Sequence, residues 1–331
     1  MDSKSQRKAV IKLIRSKSNE SKFGDKFFKA LVIGASIYTL FMVVLVFYAL
    51  SEGSLPILLK EGFNFVIGTD WNPVEDHESF GALPYIIGTL VSSTIAMVIA
   101  VPISIGIAIF VNEMVRGKIG TVLSFIVELL AAVPSIVYGL WALFVFRFVI
   151  LDYIETPVYN ALGNKISIFG TTPFGLDVFT AGIVLAIMII PIISAVSREV
   201  IKAVPNSQRE AAYALGATRW EVVKMAILPY GKSGLLGASF LGLGRAIGET
   251  ILVTMIIGNA VGLSAIPTSL FSSSQTLSSI IANEFNEASG DLHLSALIGL
   301  GLVLFIITLL INVGAVFIVS KVTKSHSNLR D

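Results

Sequence analysis

An all-helical bundle that crosses a lipid bilayer six times is the fold this sequence predicts, and three observations predict it. The 331 residues are 54% hydrophobic and only 14% charged, with a mean hydropathy of +0.83, whereas soluble domains carry about 25% charged residues. Apolar runs occupy 30–50, 83–111, 121–146, 178–197, 235–261 and 294–320, each at or above the roughly 20 residues that a helix needs to span hydrocarbon. Lysine and arginine, finally, gather on alternate loops. The same composition excludes a water-soluble enzyme and a disordered chain, since the net charge is only +2 and apolar content is high. Zero cysteines exclude a disulfide scaffold, a Cys-ligated metal and a thiol nucleophile. The three histidines, His77, His293 and His326, are too scattered for a His-rich metal site.

The apolar runs lack the strict alternation of barrel strands, and backbone groups in hydrocarbon must be satisfied within the segment, so each run is expected to be a helix. Pro102, Pro134 and Pro191 lie inside runs, where each removes one helix hydrogen bond and favours a kink. The run at 30–50 follows a basic segment, as in a signal peptide. It is longer than a signal core of about 7–15 residues, so it is expected to be retained as the first span.

Orientation follows from the basic residues. Nine lie in residues 1–29, and others at Arg116 and Lys118, throughout 198–232, and at Lys321, Lys324 and Arg330. The opposite loops hold only Lys60, Arg147 and Lys165 against twelve carboxylates. Both termini are therefore expected in the cytoplasm of a cell with this protein in its plasma or inner membrane. The organisation is a basic N-terminal segment at 1–29, a transmembrane domain at 30–320 and a tail at 321–331. Segment 4–26 either lies on anionic lipid or is a solvated tail.

One loop stands out, 198–232. Val204-Pro205 is a helix-start signal, with Asn206 or Ser207 as expected N-cap. Arg209 to Leu215 reads as a short amphipathic helix, Gly216 permits a left-handed turn, and a second helix starts near Thr218. Such a helix–glycine–helix knob either fits a groove on a partner or packs on its own bundle. Glu210-Ala211-Ala212, then Gly216, then Leu228-Pro229 resemble the EAA motif of ABC importer permeases, with Ala226 departing from the pattern's isoleucine. The resemblance implies a coupling helix seated in a cleft of a separate ATPase, with Glu210 and Gly216 as docking and turn residues beside Ala211 and Ala212. No nucleotide site is expected on this chain: Gly231-Lys232-Ser233 lacks the glycine a P-loop needs at 226.

Glu128, Arg245 and Glu249 are the ionisable residues within the expected spans. An arginine at mid-bilayer costs about 2.5–3.5 kcal/mol on insertion scales and so faces protein or water. On a continuous helix Glu249 shares a face with Arg245. The two either neutralise each other or line a translocation pathway. A guanidinium matches oxyanions, and a neighbouring carboxylate accepts an O–H from protonated phosphate, which sulfate cannot offer. Glu128 is read as structural, a partner for Arg245 or the cap of a cavity.

Gly244-Arg245-Ala246-Ile247-Gly248-Glu249-Thr250, with Ile257-Gly258-Asn259, is similar to a segment of phosphate ABC importer permeases. The stretches from Phe80 to Leu90 and from Val133 to Trp141 look like the PstC-type subunit. The resemblance spans nearly all of 30–320 and implies a type I importer permease fold. It implies a non-catalytic subunit without cofactor of its own, with Arg245 and Glu249 in the substrate pathway. Implied partners are a PstA-type permease, two ATP-binding subunits that carry ATP and magnesium, and an extracytoplasmic phosphate-binding protein. That protein is expected to dock on the acidic outer loops, including Trp71-Asn72-Pro73 and Ser272-Ser273-Ser274. No nucleic-acid partner is expected. The alternatives are a permease for molybdate, sulfate or phosphonate, a secondary anion transporter without ATPase, or a regulatory membrane subunit.

Overall fold

The computed structural model describes the backbone of residues 3–74, 76–115, 117–288 and 290–327, and side chains from 25 to 322 within those limits. Most of segment 4–26 and of the tail therefore lies outside the described side chains. Two units result, residues 1–52 and 53–331. The first is a single helix, α1 (Ser3–Gly53), which carries the apolar stretch Asp25–Gly53. Its hydroxyls turn back on the helix, as Ser36 to the Val32 carbonyl at 2.8 Å and Thr39 to Ala35 at 3.0 Å, which hides them from an apolar surrounding.

The second unit begins with α2 (Leu55–Glu61) and a two-stranded antiparallel hairpin, β1 (Trp71–Asn72) and β2 (Ser79–Phe80). Long helices follow: α3 (Leu83–Met114), α4 (Lys118–Ala131), α5 (Ser135–Leu162) and α6 (Val178–Lys202). Then come α7 (Asn206–Ala214), the helical stretch α8 (219–248), α9 (Ile251–Ile256), α10 (Leu277–Glu284) and α11 (Asp291–Ser327). Among the described residues five helices are long and apolar enough to cross a membrane, those in α1, α3, α5, α6 and α11.

The centre of the second unit is the α3–α6 pair. Ser92, Ala96, Ala100, Ser104 and Ala108 recur every fourth residue, and all are buried. This ridge of small side chains lets two backbones approach closely, which is how helices associate where no hydrophobic drive exists. Ser104 donates to the Ile190 carbonyl at 3.1 Å and Asn112 to that of Arg198 at 3.0 Å, so the two helices run parallel. Val184, Leu185, Ile189 and Ile193 of α6 extend the core to Ala238 and Ala246 of α8 and to Leu252, Val253 and Ile256 of α9.

Two expected spans are not continuous helices. Segment 121–146 is interrupted at 132–134, between α4 and α5. Pro134 has no N–H for the Leu130 carbonyl, which accepts instead from the Val133 N–H at 3.3 Å and the Tyr138 hydroxyl at 3.0 Å. The chain therefore breaks where a kink was expected. As a result α5 runs on to Leu162, and Arg147, Asp152 and Glu155, expected in a loop, lie on a helix. Segment 235–261 is split at Glu249–Thr250, between α8 and α9, and its glycines with Lys232 and Arg245 leave α8 less apolar than the five crossing helices. Pro102 and Pro191 stay inside unbroken helices.

Candidate functional site

The loop after α6 folds as a knob. The first helical residue of α7 is Asn206, and Pro205 occupies the cap position without a side-chain cap. The expected Asn206 or Ser207 cap is thus corrected, and the Asn206 carboxamide instead accepts from Arg209 at 3.4 Å. Gly216 has φ +81°, a left-handed conformation that side chains with a Cβ resist. Thr218 then caps the next helix in a reciprocal box with Glu221, whose carboxylate accepts from the Thr218 N–H at 2.7 Å and hydroxyl at 2.8 Å. Those bonds hold the Glu221 carboxyl below the usual range. The wide turn over Val223–Ile227 buries both Ala226 and Ile227, which absorbs the departure from the motif pattern. Outward, the knob shows Glu210 and Ala211 with Tyr213, Leu215 and Trp220, and Leu215 is 82% exposed. Of α7 only Ala212 is buried. A helix folded simply onto its own bundle would hide these apolar side chains; this one presents them.

The break after α8 is the second candidate. Gly248 ends the helix and Glu249 turns to extended backbone, φ −71° and ψ 125°. Its carbonyl accepts from Ser278 Oγ of α10 at 2.9 Å. The expected continuous helix through Arg245 and Glu249 is therefore corrected: Arg245 stays in the last turn of α8, and Glu249 is the first residue to leave it. Arg245 is exposed and Glu249 half-buried, and among the described residues no ion pair joins them to each other or to any third group. Gly237, Gly244 and Gly248 share the open side of α8, since a Cβ at each would meet nothing within 4 Å. Beyond α9, Gly258 has φ +94°, and a Cβ there would collide with Ser273. The Asn259 carboxamide donates to the Thr254 carbonyl at 2.7 Å. Both residues hold the 257–274 loop in shape.

The partner of Glu128 is corrected too. Its Oε1 accepts from Arg198 Nη2 at 2.9 Å, with Arg198 only 1% and Glu128 61% exposed. Arg198, expected in a loop, belongs to α6 and is buried. Other residues missed by sequence reasoning are Glu155 and Asp177, both fully buried. Asp177 caps α6, accepting from the Thr180 N–H at 2.9 Å, while the Thr180 hydroxyl donates to Glu155 at 2.6 Å. An aspartate directly before an apolar run is a cap signal that could have been read. Burial, then the charge of Glu155, pushes the Asp177 carboxyl up to about 8. An acid raised in the folded state stabilises the fold when protonated, so the contribution of Asp177 to stability is greatest in acid. It then declines from the ordinary carboxyl range of about 4 as pH rises through the folded value. Asp177→Asn keeps the capping oxygen and should flatten that decline in thermal melts of detergent-solubilised protein. An equal decline in variant and parent would contradict this.

The hairpin, expected on the outer side, is packed, not presented. Trp71 donates to Glu284 at 2.9 Å, His293 pairs with the same oxygen at 2.9 Å, and Phe80 stacks on His293. Trp71, Ser272 and Ser274 are buried, so these three, expected on a docking face, serve the interior instead.

An inserted helical bundle with an exposed helix–glycine–helix knob and a split, arginine-bearing helix is the architecture of a transport permease. The chain belongs to the family described as binding-protein-dependent transport system inner membrane component, which matches residues 100–324. Similar curated proteins include the phosphate transport system permease protein PstC of Pasteurella multocida (strain Pm70), 48% identical over 280 residues and covering 82% of this chain and 84% of that one. The protein of the same description in Haemophilus influenzae (strain ATCC 51907 / DSM 11121 / KW20 / Rd) is 43% identical, covering 91% and 95%. Among solved structures, an inward facing conformation of the MetNI methionine ABC transporter matches with a TM-score of 0.50 at 20% identity, over 73% of this chain and 94% of that one. At that identity the likeness is one of fold.

Proposed function

We propose that this chain is one of two membrane permease subunits of an ATP-driven phosphate importer. The similarity to phosphate permeases over more than four fifths of the chain supports the cargo, and Arg245 beside the helix break, in no ion pair among the described residues, carries the mechanism. Split helices mark substrate routes in transporters because unwound backbone is tolerated only where it lines a cavity or is buried in protein. Arg245, always charged and without a counter-ion among the described residues, offers a passing oxyanion a planar fork of donors. Glu249 accepts the O–H that phosphate keeps near neutral pH, its second pKa lying at about 6–7 by analogy with phosphoesters.

In this arrangement α4 and α5 together, and α8 with α9, complete six crossings, and both termini lie on the cytoplasmic side where the basic residues gather. The open side of α8 faces a sister permease of PstA type. The outward face of α7, with Glu210, Ala211, Tyr213 and Leu215, seats in one of two ATPase subunits that hold ATP and magnesium. Closure of those subunits pushes α7 and rocks the helices around the site. An extracytoplasmic binding protein delivers the anion, which suits an outer surface whose carboxylates repel free phosphate.

Uptake of labelled phosphate by vesicles holding the complete complex tests this. Uptake should require ATP and fall with excess unlabelled phosphate but not with excess sulfate or molybdate. Equal competition by sulfate would assign another oxyanion, and flux without ATPase subunits would assign a secondary carrier.

A further inference from the structure

One guanidinium ties the knob to the centre of the bundle. Arg209, in the first turns of α7, sends Nη2 to Glu113 Oε1 at 3.0 Å and to the Ile201 carbonyl at 2.8 Å. Its Nη1 donates to the Val204 carbonyl and, at 3.4 Å, to Asn206. Glu113 stands in the last turn of α3, and Ile201 in the last turn of α6. The two ionic side chains are only 16% and 13% exposed. They lie beside an apolar cluster that includes Ala108, Ile109, Ile201, Val204, Ala212, Val222 and Ile227. An ion pair so placed is screened little by salt and is held by more than charge.

The connection continues. Asn112, next to Glu113, donates to the Arg198 carbonyl at 3.0 Å, and Arg198 donates to Glu128 on α4 at 2.9 Å. A polar chain thus runs from α7 through the shared end of α3 and α6 to α4, where Glu128 is exposed. The α3–α6 pair is joined along its length by the small-residue ridge, so a displacement at this shared end moves both helices together. Only a planar fork reaches a carboxylate and several carbonyls at once; lysine, a point charge, does not.

We propose that Arg209 is the positioning residue that converts displacement of α7 into joint movement of α3 and α6, with the Arg198–Glu128 pair as the far end of the same linkage. The proposal rests on the reading of α7 as the element that seats in the ATPase. Its test measures transported phosphate per ATP hydrolysed in the reconstituted complex. Arg209→Gln should leave hydrolysis running and lower that ratio about tenfold, as loss of a charged, multiply bonded group does. Arg209→Lys should fall between. Because this chain has no cysteine, the tie can be rebuilt covalently. Arg209→Cys with Glu113→Cys should be uncoupled until a short bis-maleimide bridges the two thiols, and should then recover. A normal ratio in assembled Arg209→Gln overturns the proposal. Where that variant fails to assemble, the cysteine pair decides, and a bridge that does not raise the ratio overturns it equally. Glu210→Lys separates the two levels: if it uncouples while Arg209→Gln does not, only the linkage fails, and if neither uncouples, the docking of α7 fails as well.

Discussion

Arg245→Gln is expected to stop phosphate uptake by the assembled complex. The side chain is exposed and unpaired among the described residues, so no internal ion pair is lost, and glutamine lowers the roughly 2.5–3.5 kcal/mol cost of placing arginine in a bilayer. Insertion, assembly and co-purification with the partner subunits should therefore match the parent. What disappears is the charged donor set for an oxyanion. Hydrogen bonds of that kind contribute about 1.5–3 kcal/mol each, so one lost bond slows passage roughly ten- to a hundredfold, and losing two removes measurable uptake. Vesicle uptake normalised to complex content is the measurement. Normal uptake would move the anion's route away from the broken helix.

Gly216→Val should uncouple hydrolysis from transport. A Cβ at this position meets no atom within 4 Å, so the penalty is not a clash; it comes from φ +81°. That conformation costs a residue with a Cβ about 1–2 kcal/mol, and a β-branched side chain sits at the worse end. The cheapest relief is to open the turn, which would swing Thr218 and its capping box out of register with α7 and displace the face carrying Tyr213 and Leu215. ATP hydrolysis should persist with uptake per ATP reduced severalfold or more, while Gly216→Asn, which tolerates a left-handed turn, should stay close to the parent. Equal coupling in all three would make the turn merely structural.

Most of the fold was legible because hydrocarbon imposes so strict a rule. The runs at 83–111, 178–197 and 294–320 lie within helices α3, α6 and α11, since few other structures can satisfy twenty apolar residues in lipid. The knob was legible as well, with its glycine turn and second helix start, because those signals are local. Legibility ended where a distant group decides the backbone. Pro134 was visible, yet nothing in the sequence said that the Val133 N–H and the Tyr138 hydroxyl would share the Leu130 carbonyl and let the helix break cleanly. Gly248 is one of several glycines in that run and does not by itself mark the stop; the break at Glu249–Thr250 is held by Ser278, 29 residues away. Arg198 read as a loop cation, but α6 runs four residues past it and buries it against α3 and α4. The Arg209–Glu113 pair spans 96 residues, and no periodicity announces such a contact. The segments expected outside misled in the opposite direction: Trp71 and Ser274 lie in polar surroundings in sequence, but a hairpin and a serine-rich loop pack them inside.

The direct test of an anion route past the broken helix is thiol chemistry at position 245 of the assembled complex. In this cysteine-free chain, Arg245→Cys provides a single thiol among its own residues. Treatment with 2-aminoethyl methanethiosulfonate, a water-borne reagent, should label it and, by restoring a cation there, return part of the lost phosphate uptake. A thiol that resists this reagent from both aqueous sides yet reacts with a lipid-soluble maleimide would place the residue against acyl chains and contradict the account.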